Sequence, residues 1–219
     1  MLPDPIKNFV DVFSKLPSIG PRQATRLAFY LSNLGKNKLK EISDVARGLA
    51  DLTTCAQCFR THVGRGKLCS ICSDPTRNQK LIAIVEKETD LISLEKTKKF
   101  NGRYLVIGEL QKTGDLEPEQ KLRLSALKNT IKKGLGGQPA SAKASADAKA
   151  LADKSADKAD EIILAVNPTI YGDLGASILK KELEGCAEKI TRLGRGIPTG
   201  GEIEFADEET LGSAIDKRS

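Results

Sequence analysis

No stretch of the 219 residues stays apolar over the roughly 20 residues that a membrane helix needs. Met1 to Asp11 carries neither a basic n-region nor an apolar h-region, so no secretory signal is visible and the chain is expected in the cytoplasm, off the membrane. A Gly-x-x-x-x-Gly-Lys-Ser/Thr loop is also missing. Gly194, Gly196 and Gly200 miss the dinucleotide-binding glycine spacing by one residue, and Pro198 interrupts them, so no conventional ATP site is expected. Chemical variety fails too across Ala140 to Asp160, which holds nine Ala, four Lys, four Asp, three Ser and one Leu. A single Leu offers nothing to bury. The stretch reads as an exposed insertion of about residues 138–160, either disordered or a solvated helix.

The rest of the chain is rich enough to fold. It is 39% hydrophobic, enough for one or two domains with real cores. The net charge is +6, unevenly placed. Residues 1–80 carry thirteen Lys or Arg against six Asp or Glu, whereas residues 81–219 carry twenty-two against twenty-three. A basic N-terminal part beside a neutral remainder is the footprint of a polyanion-binding surface.

Four cysteines carry the sharpest signal. Cys55-Ala-Gln-Cys58 and Cys69-Ser-Ile-Cys72 are separated by ten residues that include Gly64 and Gly66. Each pair can bring two thiolates onto one ion, and two pairs complete a tetrahedral S4 site. Zinc suits four soft thiolates. A filled coordination shell makes it structural, with one ion per chain. Two disulfides would need an oxidising compartment, and a redox pair would occur once, at a helix start. Cys186 reads as a core thiol.

Periodicity divides the chain into modules. Helices are expected from Ile6 to Leu16, Pro21 to Leu34 and Asn37 to Thr53, giving a helical module over residues 1–53. The cysteine module covers residues 54–77. Over residues 78–195, strands Lys80–Val85, Gly102–Gly108, Glu161–Val166 and Lys189–Leu193 alternate with helices Glu88–Lys96, Pro118–Lys133 and Tyr171–Glu184. That alternation predicts an α/β domain with a parallel sheet covered on both faces. Residues 196–219 follow as a Gly/Pro loop, a short strand and a helix over Glu208–Ile215, a tail able to dock on a neighbouring subunit.

Three blocks carry resemblances. Leu16-Pro-Ser-Ile-Gly-Pro21 lies between two amphipathic helices and resembles a helix-hairpin-helix. The resemblance implies that backbone N–H groups around Ile19 and Gly20 cradle a nucleic-acid phosphate. Arg22 and Arg26 share one helix face and would flank the DNA backbone. Ser18 stands where such hairpins often have Gly. In the second block, Glu86 ends the first strand and Asn167-Pro-Thr-Ile-Tyr-Gly-Asp173 ends the third, which resembles a Toprim domain. Catalytic Toprim enzymes hold Mg²⁺ on a Glu and an Asp-x-Asp pair. Here Asn167 and Thr169 replace that pair, so the resemblance implies a degenerate acidic site of Glu86, Asn167 and Asp173 without phosphotransfer, with at most a weak Mg²⁺ site. The alternative is a Mg²⁺-dependent Toprim nuclease or a primase-like enzyme.

The third block is the tail, Gly196-x-Pro-x-Gly-Gly-x-x-x-Phe-Ala-Asp207. Hairpin, four cysteines, Toprim-like domain and tail, in that order, are similar to the RecR family of bacterial recombination mediators. The resemblance implies a non-enzymatic DNA-repair factor that binds single- and double-stranded DNA with little sequence preference. It implies a homo-oligomer, a dimer or a tetrameric ring, and partnership with RecO, and in some settings RecF, in loading RecA onto single strands. Gly108 to Asp115 keeps only part of the family loop, Asp173 stands where Glu is usual, and the Ala-rich insertion is foreign to the family. The insertion is expected to point away from a ring's lumen.

Overall fold

The computed structural model describes residues 2–64, 66–111, 115–134, 158–194, 196–197, 200 and 202–216. They divide between Leu52 and Thr53 into two compact units.

The first unit is three helices, α1 (Asp4–Phe13), α2 (Pro21–Asn33) and α3 (Lys36–Gly48), closed by a 3-10 turn over Leu49–Asp51. Pro21 opens α2, where its fixed φ is already helical and its missing N–H would have had no partner. Helix α1 packs on α2, whose Ala24 and Ala28 lie one turn apart and are buried. Phe9 and Phe13, also one turn apart, stack with centroids 3.8 Å apart. Helix α3 buries no residue, and its apolar Leu39, Ile42 and Val45 are exposed. The third helix, expected to reach Thr53, stops at Gly48 instead. The β-branched pair Thr53–Thr54 is taken by a strand ladder in the second unit.

That unit begins with an antiparallel ribbon, β1 (Thr53–Thr54) and β2 (Thr61–His62), and the short helix α4 (Ser70–Ser73). The α/β elements follow as β3 (Leu81–Val85), α5 (Glu88–Lys96), β4 (Arg103–Val106), α6 (Pro118–Lys132), β5 (Ala159–Ala165), α7 (Ile170–Glu182) and β6 (Ala187–Arg192). The four long strands form one parallel sheet in the order β4-β3-β5-β6. A 3-10 turn over Ile203–Phe205 and α8 (Glu208–Asp216) end the described chain. The turn replaces the short strand expected in the tail, because Phe205 and Ala206 donate back to Glu202 and Ile203 rather than to a neighbouring strand.

Strand residues alternate between two buried faces. Ile82, Ile84, Leu105, Ile162 and Leu164 face α6 and α7, meeting Leu124, Leu127, Ile131, Ala176 and Leu179. Ala83, Val85, Tyr104, Val106 and Ala165 join Leu91 of α5 and all four clustered cysteines. Burial on both faces explains the near-continuous apolar strands. It also shows that the cysteine ribbon supplies part of one covering layer.

The Ala-rich insertion lies outside the described residues as far as residue 157. Its last two residues, Ala159 and Asp160, are not insertion but the start of β5. Ala159 is fully buried and its N–H bonds the Cys186 carbonyl at 2.9 Å, while Asp160 N–H bonds the Lys80 carbonyl at 2.9 Å. Composition alone misses this, because Ala and Asp are poor strand formers that only the ladder holds.

The strand order places a switch between β3 and β5. The β3-α5-β4 unit winds one way, and the chain then returns past β3 to β5. In open α/β sheets a crevice forms at the carboxyl ends of the strands flanking such a switch. Glu86 and Asn167 stand there, beyond the ends of β3 and β5.

Candidate functional sites

The hairpin of the first unit runs from the end of α1 to Gly20. Leu16 N–H bonds the Phe13 carbonyl at 3.1 Å and Ile19 N–H bonds the Leu16 carbonyl at 3.2 Å. Ser18 has φ +62°, the left-handed region that favours Gly. Gly20 caps α2 with φ −86° and ψ 168°, a conformation open to any residue. A Cβ at Gly20 would meet nothing within 4 Å. The fold therefore does not require Gly there, and its absence of a side chain leaves a bare backbone at a helix N-terminus. Ile19 is half-buried, whereas Gly20, Arg22 and Arg26 are exposed. The unit's ion pairs among the described residues are Lys7–Asp4, Lys38–Glu41 and Arg47–Asp44, and neither Arg22 nor Arg26 takes part in them.

The four cysteines converge as their spacing predicts. Their relative exposures are 0%, 1%, 1% and 4% for Cys55, Cys58, Cys69 and Cys72, and their sulfurs all lie within 4.8 Å of one another. Cys58 Sγ and Cys69 Sγ are 3.5 Å apart. Four sulfurs about 2.3 Å from a central Zn²⁺ would stand roughly 3.8 Å apart, so the group fits a tetrahedral ion. Turns create the geometry. Phe59 N–H bonds the Cys55 carbonyl at 3.0 Å while Phe59 itself adopts φ +61°. Ala56 N–H reaches the Lys67 carbonyl at 2.9 Å, drawing the two knuckles together. Cys69 N–H donates to Cys55 Sγ at 3.3 Å. The close approach of the Cys58, Cys69 and Cys72 sulfurs holds the Cys55 thiol below the usual range. The nearness of the Cys55, Cys58 and Cys69 sulfurs, then burial, pushes the Cys72 thiol up. Four thiols crowded together compete for protons, and a divalent cation relieves that crowding. Among the described residues no other cluster of three or more His, Cys, Asp or Glu is gathered this way.

The cysteine ribbon is fastened to the sheet by groups that no local motif marks. Arg77 makes a two-pronged bond with Glu95 of α5, at 2.8 and 2.5 Å, and a third bond to the Gly102 carbonyl at 3.0 Å. Tyr104 O–H donates to Glu95 Oε1 at 2.8 Å. The Arg77 guanidinium holds the Glu95 carboxyl below the usual range. Burial, then the bond to Glu95, pushes the Tyr104 phenol up. Thr61 N–H of β2 bonds Glu88 Oε1 at 2.6 Å.

The acidic crevice is closed on itself. Glu86 is only 6% exposed. Its Oε1 accepts from the Asn167 N–H at 2.7 Å and from Asn167 Nδ2 at 3.0 Å. Leu110 N–H approaches Oε2 at 3.5 Å. Asn167 thus meets Glu86 as a donor, where an Asp would meet it as a second anion. Thr169 caps α7, its hydroxyl accepting from Gly172 N–H at 3.0 Å. A Cβ on Gly172 would fall 1.9 Å from the Asn167 carbonyl oxygen, so only Gly fits. Asp173 does not join Glu86 but forms an ion pair with Arg192 of β6. Of the three residues expected to share this site, two are joined and the third is neutralised elsewhere.

The family models agree with this layout. The Toprim domain model matches residues 80–194, and the model of the RecR C-terminal region matches residues 196–219. The recombination protein RecR of Koribacter versatilis is 35% identical over 217 residues, covering 98% of this chain and 96% of that protein. The RecR of Herpetosiphon aurantiacus is 32% identical across 99% of this chain and 94% of its own length. For Cutibacterium acnes RecR the figures are 32%, 100% and 96%. With a parallel Toprim sheet, a buried four-cysteine cluster and near full-length similarity to these proteins, the chain belongs to the RecR family of recombination proteins.

Proposed function

We propose that the protein is a non-enzymatic mediator of recombinational DNA repair. It binds single- and double-stranded DNA with little sequence preference and acts with RecO, and RecF where present, in loading RecA. The observation that carries the non-enzymatic reading is the clasp between Asn167 and Glu86. A neutral amide bonded to the buried carboxylate occupies the position where a second metal-binding carboxylate would be needed. Exposed Arg22 and Arg26, which take part in none of the unit's ion pairs among the described residues, support the hairpin with its bare Gly20 as the DNA contact. There the first-turn N–H groups of α2 and the positive helix end favour a phosphate.

The cysteine cluster holds one structural Zn²⁺ on Cys55, Cys58, Cys69 and Cys72, supported by its donor set and spacing. When bound, the ion joins two knuckles that the chain's own turns already bring together. The DNA-binding form is a homo-oligomer, a dimer or a tetrameric ring. The exposed Leu39, Ile42 and Val45 of α3 support self-association, since a helix that leaves its apolar stripe open gains by covering it.

Reconstitution tests the proposal. RecA loading onto single strands coated by single-stranded-DNA-binding protein is followed with RecO and Mg²⁺ present. The protein is expected to speed loading and to leave the DNA uncut. Mg²⁺-dependent cleavage or strand synthesis would favour the Toprim-enzyme alternative instead.

A further inference from the structure

Strand β4 lies at an edge of the sheet. Its residues bond alternately to β3 and outward, and Ile107 N–H turns inward to the Val85 carbonyl at 2.9 Å. Val106 turns outward, where an uncovered edge would offer its N–H and C=O to any passing strand. Both groups are taken. Val106 N–H bonds the carbonyl of Cys58 at 2.9 Å. The Val106 carbonyl accepts Arg123 Nη1 of α6 at 2.9 Å. The Arg123 guanidinium lies 5.4 Å from the ring centroid of Phe59, the residue next to Cys58. Further along the edge, the Gly102 carbonyl is taken by Arg77.

The metal-binding knuckle therefore supplies the cover at the Val106 N–H, beside the side chains of Arg123 and Arg77. The turn from Cys55 to Phe59 carries Cys58 within it and ends on Phe59 in its left-handed conformation, and Cys58 supplies the carbonyl. We propose that the four-cysteine centre is an edge lock: an ion on Cys55, Cys58, Cys69 and Cys72 holds the Cys58 carbonyl and the Phe59 ring against β4, and release of the ion unseats both and opens the edge while the rest of the sheet stays folded. The proposal rests on the metal reading above. The physical reason is the difference in support. β5 is paired on both sides, by β3 and β6, so its backbone bonds need no knuckle even though Ala165 packs beside the cysteines. The outward N–H of β4 at Val106 depends on a four-residue loop that a bound ion would staple at both ends. The strand also continues into Gly108, whose N–H bonds the Glu86 carbonyl at 3.1 Å, so the lock bears on the crevice loop as well.

Hydrogen–deuterium exchange on the purified full chain tests this. Metal content is measured first: a chain that holds no ion and binds none on addition of Zn²⁺ overturns the metal reading and the lock with it. With the ion present, exchange in residues 103–107 is compared with that in residues 162–165, before and after a strong chelator. The lock predicts a loss of protection of at least about tenfold in β4 with β5 unchanged. Unchanged β4, or β4 and β5 lost together, overturns it and leaves the ion as an idle or a global staple. Arg123→Ala supplies a second arm with every cysteine intact. It is expected to raise exchange in residues 103–107 while the ion stays bound, and no change there would contradict the proposed edge cover.

Discussion

Replacing Asn167 by Asp puts two carboxylates where the structure has one carboxylate and one amide. Glu86 Oε1 now accepts from Asn167 Nδ2 at 3.0 Å and from its N–H at 2.7 Å. Asn167→Ala removes only the side-chain donor. A bond to a charged acceptor is worth about 1.5–3 kcal/mol, and the exposure of Asn167 lowers that to about 1 kcal/mol. Asn167→Asp removes the donor and adds repulsion. Two unit charges about 3 Å apart at an effective dielectric of 20 repel by about 5 kcal/mol, an upper bound because the new side chain can swing into water. The expected total for Asp is about 2–3 kcal/mol at pH 7, at least 1 kcal/mol more than for Ala. In a unit of this size that lowers Tm by roughly 5–10 °C. The repulsion acts only where both carboxyls are ionised, so the excess cost of Asp over Ala should be fully present at pH 7 and fade on the acid side, towards about pH 4 and below. Thermal and urea unfolding of the three proteins at pH 4 and pH 7 check this. An Asp variant within 0.5 kcal/mol of the Ala variant at pH 7 would refute the clasp.

The other predictions concern the cysteine ribbon and the hairpin. Cys55→Ser or Cys72→Ser should each abolish stoichiometric zinc binding and lower stability by several kcal/mol, on the order of the loss of a structural metal, read by metal analysis and unfolding. Glu95→Gln should destabilise by about 1–2 kcal/mol at pH 7 by weakening the bonds to Arg77 and Tyr104. Because the Glu95 carboxyl is depressed in the folded state, its contribution is present above its unfolded pKa of about 4.3 and lost as pH falls below it, so the parent and Gln stability curves should converge in acid. Ser18→Gly should stabilise the first unit by about 0.5–1 kcal/mol through relief of the left-handed φ, measured by thermal unfolding.

Local pattern was enough for much of this fold. The unbroken apolar run through Leu81–Val85, the Pro21 helix start and the paired Cys-x-x-Cys knuckles each state their structure within a few residues. Glu86 and Asn167 could be placed opposite one another only through the Toprim resemblance, since they are 81 residues apart and meet across the strand switch. The Arg77–Glu95–Tyr104 fastening and the Asp173–Arg192 pair leave no trace in spacing, because each joins elements that only the tertiary fold makes neighbours. The cysteine ribbon reads in the sequence as a module in its own right, yet its cysteines share a buried cluster with Val85 and Val106. Charge likewise pointed to the basic N-terminal part without revealing that Arg22 and Arg26 stand clear of its ion pairs.

DNA affinity across a salt titration tests the central claim most directly. Fluorescence anisotropy with labelled single and double strands compares the parent with Arg22→Ala/Arg26→Ala. Each phosphate contact contributes about 0.9 to the slope of log affinity against log salt on duplex and about 0.7 on single strands, so losing two per chain should flatten the slope by about 1.8 and 1.4. Flattening of that size, with the fold intact, is the expected result. Tight binding with an unchanged slope in the variant would contradict the hairpin as the DNA contact.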